Sequence, residues 1–286
     1  MHCRIVIAVL GVCLLICGRP LNRARADKTA LDAGGVVARH LDALGSKEAR
    51  AAVRTRVVQG AAVCRILVGG GGRQEGKTGL ASEDRKLRFM MKFSPNDYRG
   101  ETAVYNGETV QVAFSNANQS RSPLASFLVT YDVILKDGLL GGVLSTAWPL
   151  LNLEDRHADL RYEGLKKVDG QQVHQIRYQP HNHSDLEILM YFDSEFRHVG
   201  TSYAISVANN VGATITQTSR LLPERSRLEE RFSDFKKVDG VNLPAHWNLQ
   251  FTRELPNGST TVTEWDLKEE QIQHNIALDS RNFELR

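Results

Sequence analysis

Phe232-Ser233-Asp234-Phe235-Lys236-Lys237-Val238-Asp239-Gly240-Val241-Asn242-Leu243-Pro244 contains a five-residue block that the chain uses twice. The other copy is Lys166-Lys167-Val168-Asp169-Gly170. Each copy follows an aromatic, Tyr162 or Phe232, and precedes a run with apolar residues at alternate positions. Asp-Gly between two such runs predicts a tight β-hairpin, because both residues tolerate the positive φ angles of a type I′ turn. The second half of the chain is therefore expected to be built of hairpins, with one strand-to-turn element duplicated.

Outward from that block, period two dominates. Leu87, Phe89, Met91 and Phe93 fall on one strand face and Lys86, Arg88 and Lys92 on the other. Val110, Val112 and Phe114 repeat the pattern after a predicted turn at Asn106-Gly107. Leu186, Ile188, Met190 and Phe192 form a further row, and Val241, Leu243, Ala245, Trp247, Leu249 and Phe251 the longest. Pro256-Asn257-Gly258 turns the chain into a Thr-rich strand ending near Trp265. So many alternating runs joined by short turns predict one large antiparallel sheet, curved or closed, with one face covered.

Two segments depart from this period. Residues 28–56 read as helical, with Leu31, Val36, Val37, His40, Leu41 and Leu44 at three- and four-residue spacing and a stop and new cap at Leu44-Gly45-Ser46. Residues 121–153 start a helix at Ser122-Pro123 and continue on a face of Leu124, Phe127, Leu128, Tyr131, Ile134 and Leu135. From Gly138 to Leu153 there is then no charge for 16 residues. That run is too short, and too broken by glycine and proline, to cross a bilayer. It must be buried against something apolar, and the apolar face of the sheet is the partner expected.

The N-terminus reads as a secretory signal peptide over 1–26: Arg4, a 13-residue apolar stretch from Ile5 to Cys17, and Ala24-Arg25-Ala26 as the cleavage site. The alternative is an uncleaved membrane anchor. The leader holds four of the 36 basic residues and no acidic ones, so residues 27–286 carry 32 basic against 33 acidic side chains. That balance gives no reason to expect nucleic-acid binding. Three of the four cysteines lie in the leader, leaving Cys64, so no internal disulfide framework and no cysteine metal cluster is expected. Residues 27–286 suffice for one domain with one core.

Four pieces in order resemble the LolA/LppX-like superfamily of periplasmic lipoprotein and lipid carriers. Residues 38–46, Ala-Arg-His-Leu-Asp-Ala-Leu-Gly-Ser, resemble its opening helix ending in A-L-G-G. Met190-Tyr191-Phe192-Asp193-Ser194-Glu195-Phe196 resembles its central strand–turn–strand, and Phe232–Pro244 its V-D-G-V-x-L-P hairpin. His274-Asn275-Ile276-Ala277-Leu278-Asp279-Ser280-Arg281-Asn282-Phe283 resembles its closing segment. The resemblance implies an α+β, mostly β fold: an unclosed antiparallel β-barrel whose apolar concave face is covered by helices. The chain departs from the classical carrier in its length and in the larger, more apolar 121–153 run, so no cargo and no individual binding residue is carried over.

Other motifs are weaker. Gly71-Gly72-Arg73-Gln74-Glu75-Gly76-Lys77-Thr78 spells a P-loop, but Gly79 follows at once and a strand pattern resumes by Arg85, where a phosphate-binding helix is needed. It reads as a glycine-rich hairpin loop. His181-Asn182-His183-Ser184-Asp185 reads as a polar turn, since no second ligand cluster accompanies it. No G-x-S-x-G elbow occurs. The expectation is a monomeric, non-enzymatic periplasmic carrier without cofactor or metal. Its cargo would be a lipid acyl chain or lipoprotein, exchanged with membrane-bound donor and acceptor proteins. The apolar cavity is expected from Leu87, Phe89, Met91, Leu140, Leu144, Trp148, Leu243, Trp247 and Leu249. The alternatives are an envelope-stress sensor or structural envelope protein with a filled core, and then an enzyme acting on lipid substrates.

Overall fold

The repeated pentapeptide forms the same turn twice. Strands β6 (Asp159–Val168) and β7 (Gln171–Gln179) pair with Val168 opposite Gln171, and β10 (Glu224–Val238) and β11 (Val241–Glu254) with Val238 opposite Val241. In each turn both residues have positive φ, 49° and 83° at Asp169-Gly170 and 47° and 83° at Asp239-Gly240. A computed structural model describes residues 31–94, 98–114, 121–182, 184–208 and 222–285. The signal-peptide reading of 1–26 falls outside them, as does His183 of the histidine-rich turn.

The remaining strands are β1 (Thr55–Val68), β2 (Arg73–Glu83), β3 (Lys86–Phe93), β4 (Gly100–Tyr105), β5 (Val110–Phe114), β8 (Glu187–Phe192), β9 (His198–Val207) and β12 (Thr260–His274). Together they form one 12-stranded sheet in the order β5-β4-β3-β2-β1-β12-β11-β10-β9-β8-β7-β6. Every pairing is antiparallel, and β5 and β6 are unpaired edges, so the barrel is not closed. Adjacent strands in the sheet are chain neighbours except at β1–β12, where the first strand meets the last.

This topology makes a demand on the segment between β5 and β6. It must carry the chain from one edge of the sheet to the other. It does so through α3 (Pro123–Thr130), α4 (Val133–Lys136) and three short 3-10 turns at Gly142–Leu144, Pro149–Leu151 and Glu154–Arg156. Its apolar side chains, Leu124, Phe127, Leu128, Ile134, Leu139, Leu140, Leu144 and Leu150 among them, join those of β3, β8 and β11 in one core. Helices α1 (Ala33–Leu44) and α2 (Lys47–Ala52) precede the sheet, and α1 packs against β6 and β11.

Three expectations are refined. The break expected at Leu44-Gly45-Ser46 is present, with Ser46 capping α2 through Ala49 N–H; the helical reading to residue 56 is too long, since strand conformation has begun by Thr55. The helix expected to run through Leu135 ends at Thr130 and restarts at Val133, with Tyr131 outside helical geometry (ψ 57°). Asn106-Gly107 opens a loop over 106–109, not a two-residue turn, because the Asn106 carboxamide oxygen accepts from Glu108 and Thr109 N–H. The glycine-rich stretch read as a loop is mostly strand: β2 begins at Arg73, and Lys77 and Thr78 lie inside it, opposite Ala61 and Gly60. No helix follows to hold phosphate.

Candidate functional site

The uncharged run Gly138–Leu153 covers the apolar face of the sheet. Its local sequence explains why it coils tightly instead of forming a helix. Gly138, Gly141 and Gly142 all have positive φ, and Pro149 opens a new turn. A side chain at Gly138 would fall on the Ala147 carbonyl, and one at Gly142 would lie 2.6 Å from His198 Nδ1. These glycines are therefore required by close approach in the closed arrangement.

Polar contacts tie the cover to the elements beneath it. Gly141 N–H donates to Glu230 of β10 at 2.8 Å, and Thr146 N–H to the Ser82 hydroxyl of β2 at 2.9 Å. Arg56 of β1 donates to the Val143 carbonyl at 2.5 Å. The Trp148 indole donates to His40 Nε2 of α1 at 3.1 Å. Four elements thus hold one irregular segment, chiefly through single side chains.

The nine residues expected to line a cavity come together, and they are packed. Leu87, Phe89 and Met91 of β3, Leu140, Leu144 and Trp148 of the cover, and Leu243, Trp247 and Leu249 of β11 are each at most 1% exposed. The Phe89 and Trp247 rings lie 4.9 Å apart, and Phe232 stacks on Trp247 at 6.1 Å. Of the nine, Trp148 also lines a cleft, described below. Each such side chain contributes about 1.5–3 kcal/mol by leaving water.

Buried ionisable groups surround this core. His40 is neutral, with its Nδ1 hydrogen-bonded to the Phe196 carbonyl, and burial lowers its pKa to about 4. His198 lies 4.4 Å from the Trp148 ring and is lowered well below the usual histidine value by the same desolvation. Glu230 accepts from the Tyr203 hydroxyl and from Gly141, yet burial raises its pKa to about 7. Glu101 and Glu269 are raised to about 7, again mainly by burial. Such groups are functional candidates only where a substrate can reach them.

Two further arrangements bring hydrogen-bonding side chains together. Ser233, His246 and Asp266 form a hydrogen-bonded chain across β10, β11 and β12, at 3.1 and 2.5 Å. Ser233 is exposed and His246 and Asp266 are about one-third exposed, so the chain stands in water with nothing to enclose a substrate. A cavity of about 250 Å³ is lined by Cys64, Tyr98, Glu101, Ser122, Phe251 and Trp265. There Ser122 and Tyr98 both donate to one Glu101 oxygen. Among the described residues, no group of three His, Cys, Asp or Glu side chains is arranged to hold a metal.

The larger cleft, about 730 Å³, lies where α1, α2 and β1 meet the cover, with Leu41, Leu44, Val143, Trp148, Leu151 and Val241 as its apolar lining. Sequence reading missed its polar lining, which comes from Arg50, Arg56, Arg85 and Arg156. The signal available was Arg56 in the apolar alternation of β1, two residues before buried Val58. Glu230, between Leu228 and Phe232 on the inner face of β10, gave a similar signal.

No family model and no curated protein matches the chain. Solved structures do. A DUF1329 family protein from Desulfovibrio piger is 13% identical over 88% of this chain and 96% of its own, with a TM-score of 0.43. A domain described as outer membrane lipoprotein-sorting from Vibrio parahaemolyticus is 10% identical over 86% and 95%, with a TM-score of 0.46. LolA superfamily protein NE2245 from Nitrosomonas europaea is 12% identical over 90% and 99%, with a TM-score of 0.45.

Proposed function

We propose that this chain is a non-enzymatic periplasmic carrier that shields an acyl chain, of a lipid or lipoprotein, between the inner face of its sheet and the cover Leu139–Leu151. The observation that carries the reading is the cover itself. A 12-stranded sheet has its apolar face closed by an uncharged, irregular segment held by isolated side-chain contacts from β1, β2, β10 and α1. Such a segment can part from the sheet without breaking a β-ladder. Each CH₂ transferred into the opened space contributes about 0.8 kcal/mol, so a ~16-carbon chain gives ample affinity to offset the opening. The sequence resemblance to LolA-type carriers supports a carrier role, without fixing the cargo. Among the described residues no helix is long and apolar enough to cross a membrane.

A second reading has its own observation. All nine inner residues are already buried, which suits a sensor or structural protein whose core is filled. The neutral fluorophore N-phenyl-1-naphthylamine separates the two. A carrier binds it, and Leu144→Glu abolishes binding while the protein stays folded, because a charge beneath a movable cover holds the cover open. If Leu144→Glu instead unfolds the protein and the wild type binds no probe, the filled-core reading stands and the carrier reading fails.

A further inference from the structure

We propose that the cleft between α1, α2, β1 and the cover is a binding site for the phosphate group of an anionic amphiphile. This rests on the carrier reading and names the head of its cargo.

The argument begins with charge. Six basic side chains line the cleft, Lys47, Arg50, Arg54, Arg56, Arg85 and Arg156, against two acidic ones, Asp84 and Asp155. The surplus is four positive charges in a region whose whole balance is 32 basic to 33 acidic. None of the six makes an ion pair among the described residues, and neither acidic side chain does. Some cations elsewhere are neutralised, Arg177 by Glu163 and Glu187 for example; what sets the cleft apart is that its unpaired cations share one space.

Two of the six are interior. Arg56 is 4% exposed and Arg156 8% exposed. Arg56 donates to the Val143 carbonyl and, at 3.0 Å, to His274 Nε2. Arg156 donates to the carbonyls of Ala147 at 2.8 Å and Lys136 at 3.4 Å, and its Nε has no partner. Both guanidiniums are hydrogen-bonded to neutral acceptors; Arg56 has no carboxylate beside it among the described residues, and Arg156 feels Asp137 without forming an ion pair. Burying a cation without its counter-ion costs several kcal/mol. The fold carries that cost in full at Arg56 and, offset in part by Asp137, at Arg156, both on the wall of one cleft. Burial correspondingly lowers both arginine pKa values, that of Arg56 to about 10.

The ligand class follows from the donors. Forked guanidiniums fixed by backbone suit the tetrahedral oxygens of phosphate, which accept two parallel hydrogen bonds from one arginine. Several cations around one space favour phosphate over a single carboxylate. The uncharged lining includes the polar Thr146 and Asn152 and an apolar part with Leu41, Leu44, Val143, Trp148 and Leu151. Three of these apolar residues belong to the cover, so a phosphate seated among the arginines would place its attached chain at the cover's edge. The volume, about 730 Å³, is within the usual range for small-ligand sites.

Calorimetry with water-soluble short-chain lipids tests this on the full mature chain. Dihexanoylphosphatidylglycerol is expected to bind at least ten-fold more tightly than either dihexanoylphosphatidylcholine or inorganic phosphate. Arg54 and Arg85 are both exposed, so Arg54→Glu/Arg85→Glu keeps the fold. It should weaken phosphatidylglycerol binding by about ten-fold or more, because like charges now face the anion. Equal binding of the choline lipid, or unchanged binding by the double variant, overturns the anion site. Inorganic phosphate binding as tightly as the lipid overturns the amphiphile and leaves a site for free phosphate. The neutral fluorophore reports on the inner face alone. Its failure with phosphatidylglycerol binding intact removes the carrier and leaves the cleft; the reverse pattern removes the cleft and leaves the carrier.

Discussion

Glu230 is a carboxyl on the apolar side of β10, between Leu228 and Phe232, and its burial has a definite pH signature. In the unfolded chain it ionises near 4.5, whereas in the fold desolvation raises it to about 7. Between those values the unfolded state binds fewer protons than the folded one. Glu230 therefore favours the fold below pH 4.5, and that contribution is lost as pH rises to 7. Glu230→Gln should remove the slope. Relative to wild type, its unfolding free energy should improve by about 3 kcal/mol between pH 4.5 and 7.5, at 1.36 kcal/mol per pKa unit. Urea denaturation at several pH values measures this, and parallel curves would contradict it. His40 has the opposite sign. Its pKa falls from 6.5 to about 4, so its neutral, Trp148-bonded form is fully stabilising above pH 6.5 and loses that stability as pH falls toward 4. Its imidazole resonances should remain those of the neutral ring down to about pH 4 in NMR titration; a midpoint near 6.5 would remove the buried-histidine account.

The two identical pentapeptides allow an experiment on elements, since local sequence is held constant and packing differs. Gly170 and Gly240 share φ of 83°, a conformation that an L side chain adopts at a cost of about 1–2 kcal/mol. A Cβ on Gly170 meets nothing within 4 Å, whereas one on Gly240 lies 3.0 Å from the Ala49 side chain of α2. Gly170→Ala should destabilise by about 1 kcal/mol and Gly240→Ala by roughly 2–3 kcal/mol, read as urea midpoints. Equal losses would mean that α2 does not pack on the second turn. The hairpins were legible in the sequence for the reason that makes this comparison possible: turn chemistry and period two are local. The β1–β12 pairing was not, because Arg56 and His274 are opposite one another only after the whole sheet is assembled. The break at Tyr131 was likewise hidden, because Phe127, Leu128, Ile134 and Leu135 are buried on either side of it and keep the apolar pattern.

Across the whole molecule, the crossing from β5 to β6 sets what can move. Twelve strands share one continuous ladder, while the cover that joins the two edges touches them through loops and single side chains. The burial of the nine inner residues was readable from their alternation and from the uncharged run. The cleft was not, since Arg50, Arg56, Arg85 and Arg156 come from four separate segments that only the assembled fold brings together. If the cover moves as a unit, it should open at lower free energy than the ladder does. Native-state hydrogen exchange should then show Leu139–Leu151 amides exchanging through a sub-global opening, weakly dependent on urea. The β11 and β12 amides should exchange only through global unfolding. Arg56→Ala removes the bond to the Val143 carbonyl and one buried, uncompensated charge. It should speed exchange in the cover selectively, leaving β11 and β12 protection changed only by the shift in global stability. Cover amides as protected as those of β11, with the same urea dependence, would make the segment a fixed part of the core, and a chain-binding space beneath it would have no way to open.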